Sequence, residues 1–277
     1  AKELYMVYDN RDRIVFMQDG NQRFKYNDII QEWTTNIYDE LDRLNMSLLY
    51  KTSKSRSALQ ADIDAATTNT VTINNAGENI INLILDQRVG TGNYKAQQSI
   101  ELVSDAGGDF ESLNGDEFTA EIDGSATQPS TTVTTVTYQN PISNADLTNP
   151  AVCTILKYLF YDNYNFPNAQ SFNTAFGNAT TYSYAETIAA TARTSSFPTG
   201  DKVRVLGTNT FLTTTRYYDE EGRPIQSIEE NIKQGSDITT MQYHWDGRLL
   251  SSHTRHSTAN SGYQGFEILT QHYFDVI

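Results

Sequence analysis

Two histidines in the last thirty residues of the chain are the first candidates for metal chemistry. His253 and His256 are three residues apart, and imidazole nitrogens are common zinc ligands. The surrounding sequence LLSSHTRHST is typical of a β-strand, in which residues three apart point to opposite faces of the sheet. Because no cysteine or carboxylate cluster stands beside them in the sequence, we do not expect a zinc site here.

Acidic residues could support two other kinds of chemistry. Adjacent acids at 219–221 and 229–230 would have to converge to act as a general acid and base, and a solvated turn explains them better. The stretch SDAGGDFESLNGDE (104–117) could supply carboxylate ligands to calcium, although it lacks the spacing of an EF-hand. We predict no metal and no cofactor, with calcium at 104–117 as the alternative.

Sequence patterns of known enzymes are missing from the chain. It contains no G-x-S-x-G, no H-E-x-x-H and no phosphate-binding loop, and the sequence therefore predicts that the protein is not an enzyme. Trp33, Trp245 and the tyrosines could form a platform that stacks on sugars. Aromatic residues at strand positions more often pack across a buried pair of strands.

The composition favours β-sheets and excludes some partners. Among 277 residues the chain has 34 Thr and 17 Tyr, two residue types that suit a pleated, half-buried surface. A net charge of −14 argues against binding to nucleic acid or to an anionic membrane surface. No apolar run approaches the roughly 18 residues of a membrane span, so we predict no membrane insertion. The single cysteine, Cys153, is expected to be a small buried residue.

A six-residue pattern recurs four times in the chain, in the form Tyr-Asp-x-x-Gly-Arg or close to it. We call its copies frame 1 (8–13), frame 2 (38–43), frame 3 (218–223) and frame 4 (243–248). Their shared positions are Tyr8, Asp9, Asp12 and Arg13; Tyr38, Asp39, Asp42 and Arg43; Tyr218, Asp219, Gly222 and Arg223; and Tyr243, Gly247 and Arg248. Frames 1 and 2 have Asp in place of Gly, and frame 4 lacks the first Asp.

Each frame is predicted to be the turn of a β-hairpin. Asp suits the start of a turn because its carboxylate accepts hydrogen bonds from backbone N–H groups further along. Gly, and less readily Asp, suits a position with positive φ. Since one hairpin cannot bury its own face, recurring copies indicate a repeat architecture in which they stack.

The segments between the frames predict the organisation of the chain. Hairpins built on the frames are expected at 1–51, with an Asp-Gly turn at 19–23, and again at 201–277. Residues 52–140 are predicted to be a β-rich insert that could form a separate domain, with a short helix at 57–66 capped by Ser57 and a strand at 131–138. Residues 141–200 should be an irregular connection containing the strand AVCTILKYLFYD and a short helix near 183–192.

The frames and several longer segments resemble one known family. They are similar to the YD repeats of Rhs proteins, the group of the bacterial Rhs polymorphic toxins, and most similar to the long Rhs-type proteins of Bacteroidetes. The similar segments follow one another in order over most of the chain: VYDNRDRIVFMQDGNQR, YDELDRLNMSLLY, YKAQQSIEL with FTAEI, FYDNYNF, VLGTNTFLTTTRYYDEEGRPIQ and DITTMQYHWDGRLLSSHTRH. Two departures are the 180 residues between the starts of frames 2 and 3 and the absence of the self-cleaving end of the toxin core.

The resemblance implies both a fold and a function. The fold would be all-β, with antiparallel hairpins of a YD-repeat spiral sheet that forms part of a hollow β-shell, and with an embedded β-rich insert. The function would be that of a non-enzymatic wall segment of a secreted or cell-surface protein. Its partners would be the remainder of a longer parent polypeptide and an enclosed cargo or toxin effector domain. The alternative is an extracellular module for adhesion that binds carbohydrate or protein, with 67–138 as the binding domain.

The ends of the sequence predict open sheet edges. The chain begins one short strand before frame 1 and ends at HYFDVI, where Phe274-Asp275 resembles the start of a fifth frame. We expect the strands nearest both ends to be unpaired edges that pair within a longer polypeptide and that promote self-association. A closed barrel made by pairing 4–8 with 268–274 would contradict this expectation.

Overall fold

One large antiparallel sheet dominates the computed structural model, which describes residues 3–26, 29–74, 77–85, 88–102, 104–105, 108–128, 132–174, 184–258 and 265–274. In chain order the strands are β1 (Tyr5–Tyr8), β2 (Ile14–Gln18), β3 (Gln31–Tyr38), β4 (Leu44–Thr52), β5 (Thr68–Asn74), β6 (Asn82–Leu85), β7 (Gly92–Ala96), β8 (Ser99–Leu102), β9 (Ser104–Asp105), β10 (Gly108–Asp109), β11 (Phe118–Ile122), β12 (Thr132–Gln139), β13 (Cys153–Phe160), β14 (Gly200–Arg204), β15 (Phe211–Tyr218), β16 (Pro224–Glu230), β17 (Ser236–Tyr243), β18 (Leu249–His256) and β19 (Phe266–Gln271). The helices are α1 (Gly20–Arg23), α2 (Arg56–Asp64) and α3 (Asn144–Leu147).

The large sheet is a meander in which chain neighbours pair. Its order is β1-β2-β3-β4-β13-β14-β15-β16-β17-β18-β19, and every pair in it is antiparallel. β13 joins the strands that carry frames 1 and 2 to those that carry frames 3 and 4. The prediction of an all-β fold is confirmed, and so is the strand predicted from AVCTILKYLFYD.

Residues 53–152 leave the large sheet between β4 and β13 and form small strand pairs of their own. β5 pairs with β12 and β9 with β10 in antiparallel fashion, whereas β6 with β8 and β7 with β11 are parallel. The predicted strand at 131–138 corresponds to β12. Parallel pairs need a crossover rather than a tight turn, and the turn-based reading of the sequence did not anticipate them.

One face of the large sheet carries the core. Near frames 1 and 2 it is covered by the β5–β12 pair, α2 and α3, in a cluster that includes Phe16, Trp33, Leu48, Val71 and Tyr138. Near frame 3 it is covered by the connection between β13 and β14. There Tyr217, Ile225, Ile228 and Ile238 pack with Tyr164, Phe172 and Ile188 of that connection. Cys153 lies in the first cluster, and burial raises the pKa of its thiol to about 12, as expected for a small core residue.

The two edges of the sheet differ. β1 and β19 lie at opposite edges and do not pair with each other. At the β1 edge, the side-chain amide of Gln60 on α2 bonds both the N–H and the C=O of Tyr8, and Arg56 donates to the carbonyl of Met6. The expectation of an open edge is wrong there, because α2 supplies the hydrogen bonds that a neighbouring strand would have made.

The β19 edge has no strand beside it among the described residues. Phe266, Ile268 and Leu269 are exposed on this strand. The predicted open edge is therefore confirmed on this side of the sheet.

The helices are short, and the sequence predicted only one of them. α2 confirms the helix expected at 57–66, but its N-cap is Ser55, whose side chain accepts from the N–H of Ala58. Instead of the Asp-Gly turn at 19–23 there is α1, because Asp19 and Gln22 form a capping box. The helix predicted near 183–192 is wrong, since residues 184–192 are not helical; residue 183 lies outside the described residues.

Within the described ranges, no helix has the length and apolar character needed to cross a bilayer.

Candidate functional site

Frame 2 shows the geometry that the pattern encodes. The N–H of Asp39 donates to the carbonyl of Arg43 at 2.9 Å, and the N–H of Asp42 donates to the carbonyl of Asp39 at 3.1 Å. The Oδ1 atom of Asp39 accepts from the N–H groups of Leu41 and Arg43, and its Oδ2 accepts from Nε of Arg43 at 2.8 Å. One carboxylate therefore closes the turn and fixes the arginine that follows it.

Frames 1 and 3 repeat this arrangement. Asp9 bonds Arg13 through the same atoms, and Asp219 bonds Arg223 likewise. Burial alone would raise the pKa of Asp9, but the hydrogen bonds from Arg13 and from the backbone N–H of Arg11 outweigh it and lower that pKa. The carboxylate in frame 1 is thus held in its charged form by the turn that it closes.

The predicted hairpins and backbone conformations are confirmed. Frames 1, 2, 3 and 4 connect β1 to β2, β3 to β4, β15 to β16 and β17 to β18. The fifth residue of the frame has positive φ in every copy: Asp12 (59°), Asp42 (65°), Gly222 (78°) and Gly247 (90°). Asp and Gly can share this position because both adopt the left-handed region more readily than most residues.

Frame 4 keeps the turn with a different carboxylate. His244 takes the place of the first Asp, and its N–H donates to the carbonyl of Arg248 at 2.8 Å. Asp246, two residues further on, accepts from both the N–H and the Nε of Arg248. The arginine therefore retains a carboxylate partner although the frame has lost its Asp.

Successive turns along one end of the sheet are joined through their arginines. The arginines of frames 1, 2 and 3 each stack on the tyrosine that opens the next turn, and Arg248 of frame 4 stacks on Phe274, which follows β19. We call this series of contacts the turn ladder. The distances from the guanidinium carbon to the ring centroid are 4.6 Å for Arg13 over Tyr38, 4.4 Å for Arg43 over Tyr161, 4.9 Å for Arg223 over Tyr243 and 4.7 Å for Arg248 over Phe274. Such contacts contribute about 0.5–1 kcal/mol each at exposed sites.

The tyrosine hydroxyls make a second link in the same direction. Each donates to the carbonyl of the residue directly after the preceding turn's arginine: Tyr38 to Ile14 (3.2 Å), Tyr161 to Leu44 (3.0 Å) and Tyr243 to Pro224 (3.0 Å). Tyr and Arg of the frame thus work as a pair across turns, which explains why the pattern conserves their spacing within this chain.

A further turn of the ladder is split by an insertion, and sequence reasoning missed it. Asp162 follows Tyr161, and its N–H donates to the carbonyl of Phe197 at 3.1 Å, as Asp219 donates to Arg223 in frame 3. The next tyrosine, Tyr218, donates to the carbonyl of Pro198 at 2.9 Å and packs its ring 4.8 Å from that of Phe197. Phe197 therefore stands at the arginine position, and residues 163–196 are inserted within the turn.

Ion pairs connect neighbouring turns as well. Arg11 and Arg13 of frame 1 both bind Asp42 of frame 2. Arg43 makes two parallel bonds of 2.9 and 2.8 Å to the carboxylate of Asp162. The bond from Arg43 lowers the pKa of Asp162, and the same bond raises the pKa of Arg43. These pairs connect frame 1 to frame 2 and frame 2 to the split turn.

One cluster of acids has the geometry of a metal site but already holds a cation. Carboxylate oxygens of Glu186, Asp219 and Glu221 lie within 4.8 Å of one another. The guanidinium of Arg223 pairs with all three of them. The cluster is therefore an arginine-centred ion network of frame 3.

The other two candidate metal sites are the histidine pair, whose members bind different carboxylates, and the stretch 104–117, which the structure describes only in part. His253 bonds Glu267 at 3.1 Å, whereas His256 bonds Asp237, so the two histidines serve different carboxylates. In the stretch 104–117, residues 106 and 107 lie outside the described residues. Asp116 in that stretch is paired with Arg88 at 3.1 Å.

A buried lysine ties residues 53–152 to the large sheet. Lys202 on β14 is fully buried, and its Nζ bonds both carboxylate oxygens of Glu78 at 2.6 and 2.8 Å. Burial raises the pKa of Glu78, although Lys202 opposes that rise. Glu230, which accepts from the N–H of Thr213 at 2.8 Å, also has its pKa raised by burial.

A cavity of about 430 Å³ lies beside this ion pair, between residues 53–152, the β13–β14 connection and the sheet. Its walls include Glu78, Glu230, Gln170, Asn82 and Phe211. Buried ionisable groups in a cleft are typical of functional sites and also of structural ion networks. Here Glu78 is paired with Lys202 and Glu230 accepts from the N–H of Thr213. The contacts therefore fit a structural ion network that holds residues 53–152 against the sheet. The alternating strand KVRVL gave no signal that Lys202 would be buried.

The two tryptophans have opposite environments. Trp33 is fully buried and packs edge-on against Phe16 at 6.4 Å, as expected for a strand position. Trp245 is 67% exposed at the tip of frame 4, and Tyr184 beside it is 77% exposed. The predicted preference for buried cross-strand packing therefore holds for one tryptophan and not for the other.

Comparison of the sequence with protein-family models and with curated proteins, and of the fold with solved structures, gives no match. The geometry of the chain is thus the basis for assigning its role.

Proposed function

We propose that the chain is a non-enzymatic structural segment of a secreted or cell-surface Rhs/YD-repeat protein. Its large sheet would form part of the wall of a hollow β-shell. The shell would enclose a cargo or toxin effector domain carried by the remainder of a longer parent polypeptide.

The turn ladder is the observation that supports this proposal. Its links run in one direction along one end of the sheet, from Arg13 to Phe274, and each link needs the next turn to complete it. Repeats of this kind are stabilised by contacts with their neighbours and can be extended by further copies. Such a sheet suits a wall, because further hairpins can extend the sheet.

The chemistry of the frames favours a structural role as well. The carboxylates of Asp9, Asp39 and Asp219 bond backbone N–H groups and arginines of their own turns. Because these bonds orient the acids into the turn, their oxygen atoms stabilise the backbone rather than face a substrate. The proposal therefore assigns no reaction to the frames.

The decisive experiment is limited proteolysis of the longest natural polypeptide that contains the chain. The proposal predicts that a segment outside the chain resists trypsin while the sheet is intact. Asp219→Ala removes the turn carboxylate of frame 3. In this variant the proposal predicts that trypsin cleaves the sheet and the outside segment at the same time. An exposed control, Glu229→Gln, should leave the pattern unchanged.

Two results would contradict the proposal. One is digestion of every outside segment at the same rate in the wild-type protein and in Asp219→Ala. The other is a protected segment that stays protected after the wall has been digested, because a separately folded domain would behave in that way.

A further inference from the structure

The tip of frame 4 differs from the tips of the other frames in one residue. Trp245 occupies the turn position that Asn10, Glu40 and Glu220 occupy in frames 1, 2 and 3, and all four side chains are exposed. The same turn therefore forms with a polar residue at this position. A tryptophan here contributes nothing that the turn requires, and large exposed aromatic side chains are often binding residues.

A second aromatic residue is held beside Trp245 by backbone contacts. The N–H of Trp245 donates to the carbonyl of Tyr184 at 3.3 Å, and the N–H of Glu186 donates to the carbonyl of Tyr243 at 2.9 Å. Tyr184 has a φ of 63°, a conformation that is uncommon for tyrosine and that often marks functional positions.

The aromatic rings at this tip lie against one another, with the ring of His244 between those of Tyr184 and Trp245. The ring of His244 lies 6.0 Å from that of Tyr184 and 5.5 Å from that of Trp245. We call these three residues the aromatic platform. Its outer members are exposed while its backbone is fixed by the turn and by the short segment 184–186, so the platform is presented without a large loss of conformational freedom on binding.

We propose that the aromatic platform binds a neutral oligosaccharide by stacking of sugar rings on Trp245 and Tyr184. Aromatic rings offer flat apolar surfaces, and the polar atoms at their edges suit a ligand with both apolar and hydroxyl-bearing faces. Asp246 and Glu186 beside the platform are each paired with an arginine, and the chain as a whole carries a net charge of −14. This charge disfavours anionic ligands such as uronic-acid polymers or nucleic acid.

The extent of the platform favours a sugar over a protein. Two exposed rings flanked by charged residues offer far less than the roughly 800 Å² that each partner contributes to a stable protein interface. The rings do match one or two units of a sugar chain. The inference is independent of the proposed wall function, since a wall can carry a sugar-binding tip on its surface.

The experiment is a screen of the full chain on an array of neutral and anionic oligosaccharides, followed by calorimetric titration of the neutral glycan that binds best. Trp245→Asn places in frame 4 the residue that frame 1 has, so the turn should persist. We expect Trp245→Asn and Tyr184→Ser each to weaken binding by about tenfold or more. Tyr273→Ser, a change at an aromatic residue that is 84% exposed elsewhere, should leave the affinity unchanged.

Three outcomes would overturn the inference. They are the absence of binding to every neutral glycan on the array, an unchanged affinity in Trp245→Asn, and an equal loss of affinity in Tyr273→Ser. If light scattering instead shows that the wild-type chain self-associates and Trp245→Asn does not, the platform is a protein contact and the sugar assignment is wrong.

Discussion

Frame 3 and the split turn at Tyr161 build the same structure from different sequences. In frame 3 the turn is contiguous, and Arg223 follows Asp219 after three residues. In the split turn Phe197 follows Asp162 only after residues 163–196, yet the closing backbone bond is 3.1 Å in one and 3.0 Å in the other. A Pro comes next in both turns, and its carbonyl accepts from the following tyrosine.

The comparison shows what the ladder requires. The side chain that packs on the tyrosine ring of the next turn can be Arg or Phe. The backbone hydrogen bond that closes the turn and the bond from the next tyrosine's hydroxyl are the same in both turns. The inserted residues meanwhile cover part of the sheet, since Tyr164 and Phe172 pack against Tyr217. A repeat can therefore gain a covering segment without losing its place in the ladder.

The largest expected effect comes from removing the carboxylate that closes the contiguous turn. Asp219→Ala leaves the N–H groups of Glu221 and Arg223 and the Nε of Arg223 without this acceptor. We expect the free energy of unfolding to fall by about 2–3 kcal/mol, as measured by urea denaturation.

The chain offers a matched control for this change. In the turn between β16 and β17, Asn231 accepts from the N–H groups of Lys233 and Gly235 through its Oδ1. Asp219→Asn should therefore keep the backbone bonds and lose about half as much stability as Asp219→Ala. Equal losses for both variants would show that the charge, and not the turn closure, is the important property.

The next effect tests the packing of the split turn on frame 3. Gly222→Ala would place its Cβ 2.8 Å from the Cζ of Phe197, whereas Gly247→Ala would meet no atom within 4 Å. Both residues have positive φ, so both variants bear the cost of about 1–2 kcal/mol for that conformation. Denaturation should show Gly222→Ala to be less stable by about 1 kcal/mol more than Gly247→Ala. Equal stabilities would mean that Phe197 is not seated against frame 3.

A smaller effect should come from the contact that joins frame 2 to the split turn. Arg43 stacks on Tyr161 at 4.4 Å. A double-mutant cycle of Arg43→Ala and Tyr161→Leu should give a coupling energy of about 0.5–1 kcal/mol. The pair of Arg43 and Tyr243, which belong to separate links of the ladder, should give no coupling and serves as the control.

The smallest effect is a dependence of stability on pH. Burial raises the pKa of Glu230 above its ordinary value of 4.5. Its contribution to stability is therefore complete below pH 4.5 and is lost as the pH rises through its pKa in the folded state. Glu230→Gln, which stays neutral, should gain melting temperature over the wild type as the pH rises above 4.5. The exposed neighbour variant Glu229→Gln should show no such trend, and a matching trend in it would refute the assignment.

Local sequence signals predicted the local structure of this chain. The four frames gave their hairpins and positive-φ residues because Asp, Gly and Arg act within six residues. α2 was predicted from the spacing of Leu59 and Ile63, although its cap was misplaced by two residues. In contrast, α1 forms where the Asp-Gly pair predicts a turn, because Gln22 reaches back to Asp19 in a capping box.

Contacts between distant segments were not predictable in this way. The split turn joins Asp162 to Phe197, and the buried pair joins Glu78 to Lys202. In each case the tertiary fold brings the two residues into contact, and their spacing along the chain gives no indication of it. The segment FYDNYNF marks Tyr161 and Asp162 as the start of a turn, but nothing in it indicates that the turn closes at Phe197. The similarity between Phe197-Pro198 and Arg223-Pro224 becomes apparent only once the pairing is known.

The most direct test of the account is hydrogen exchange at the amide of Asp162, measured by NMR. If the split turn belongs to the ladder, this amide is protected like those of Asp39 and Asp219, which make the same bond in frames 2 and 3. Arg43→Ala should then reduce protection at Asp162 and leave His244 in frame 4 unchanged. Exchange of Asp162 at the rate of an unbonded amide, while Asp39 and Asp219 remain protected, would contradict the account.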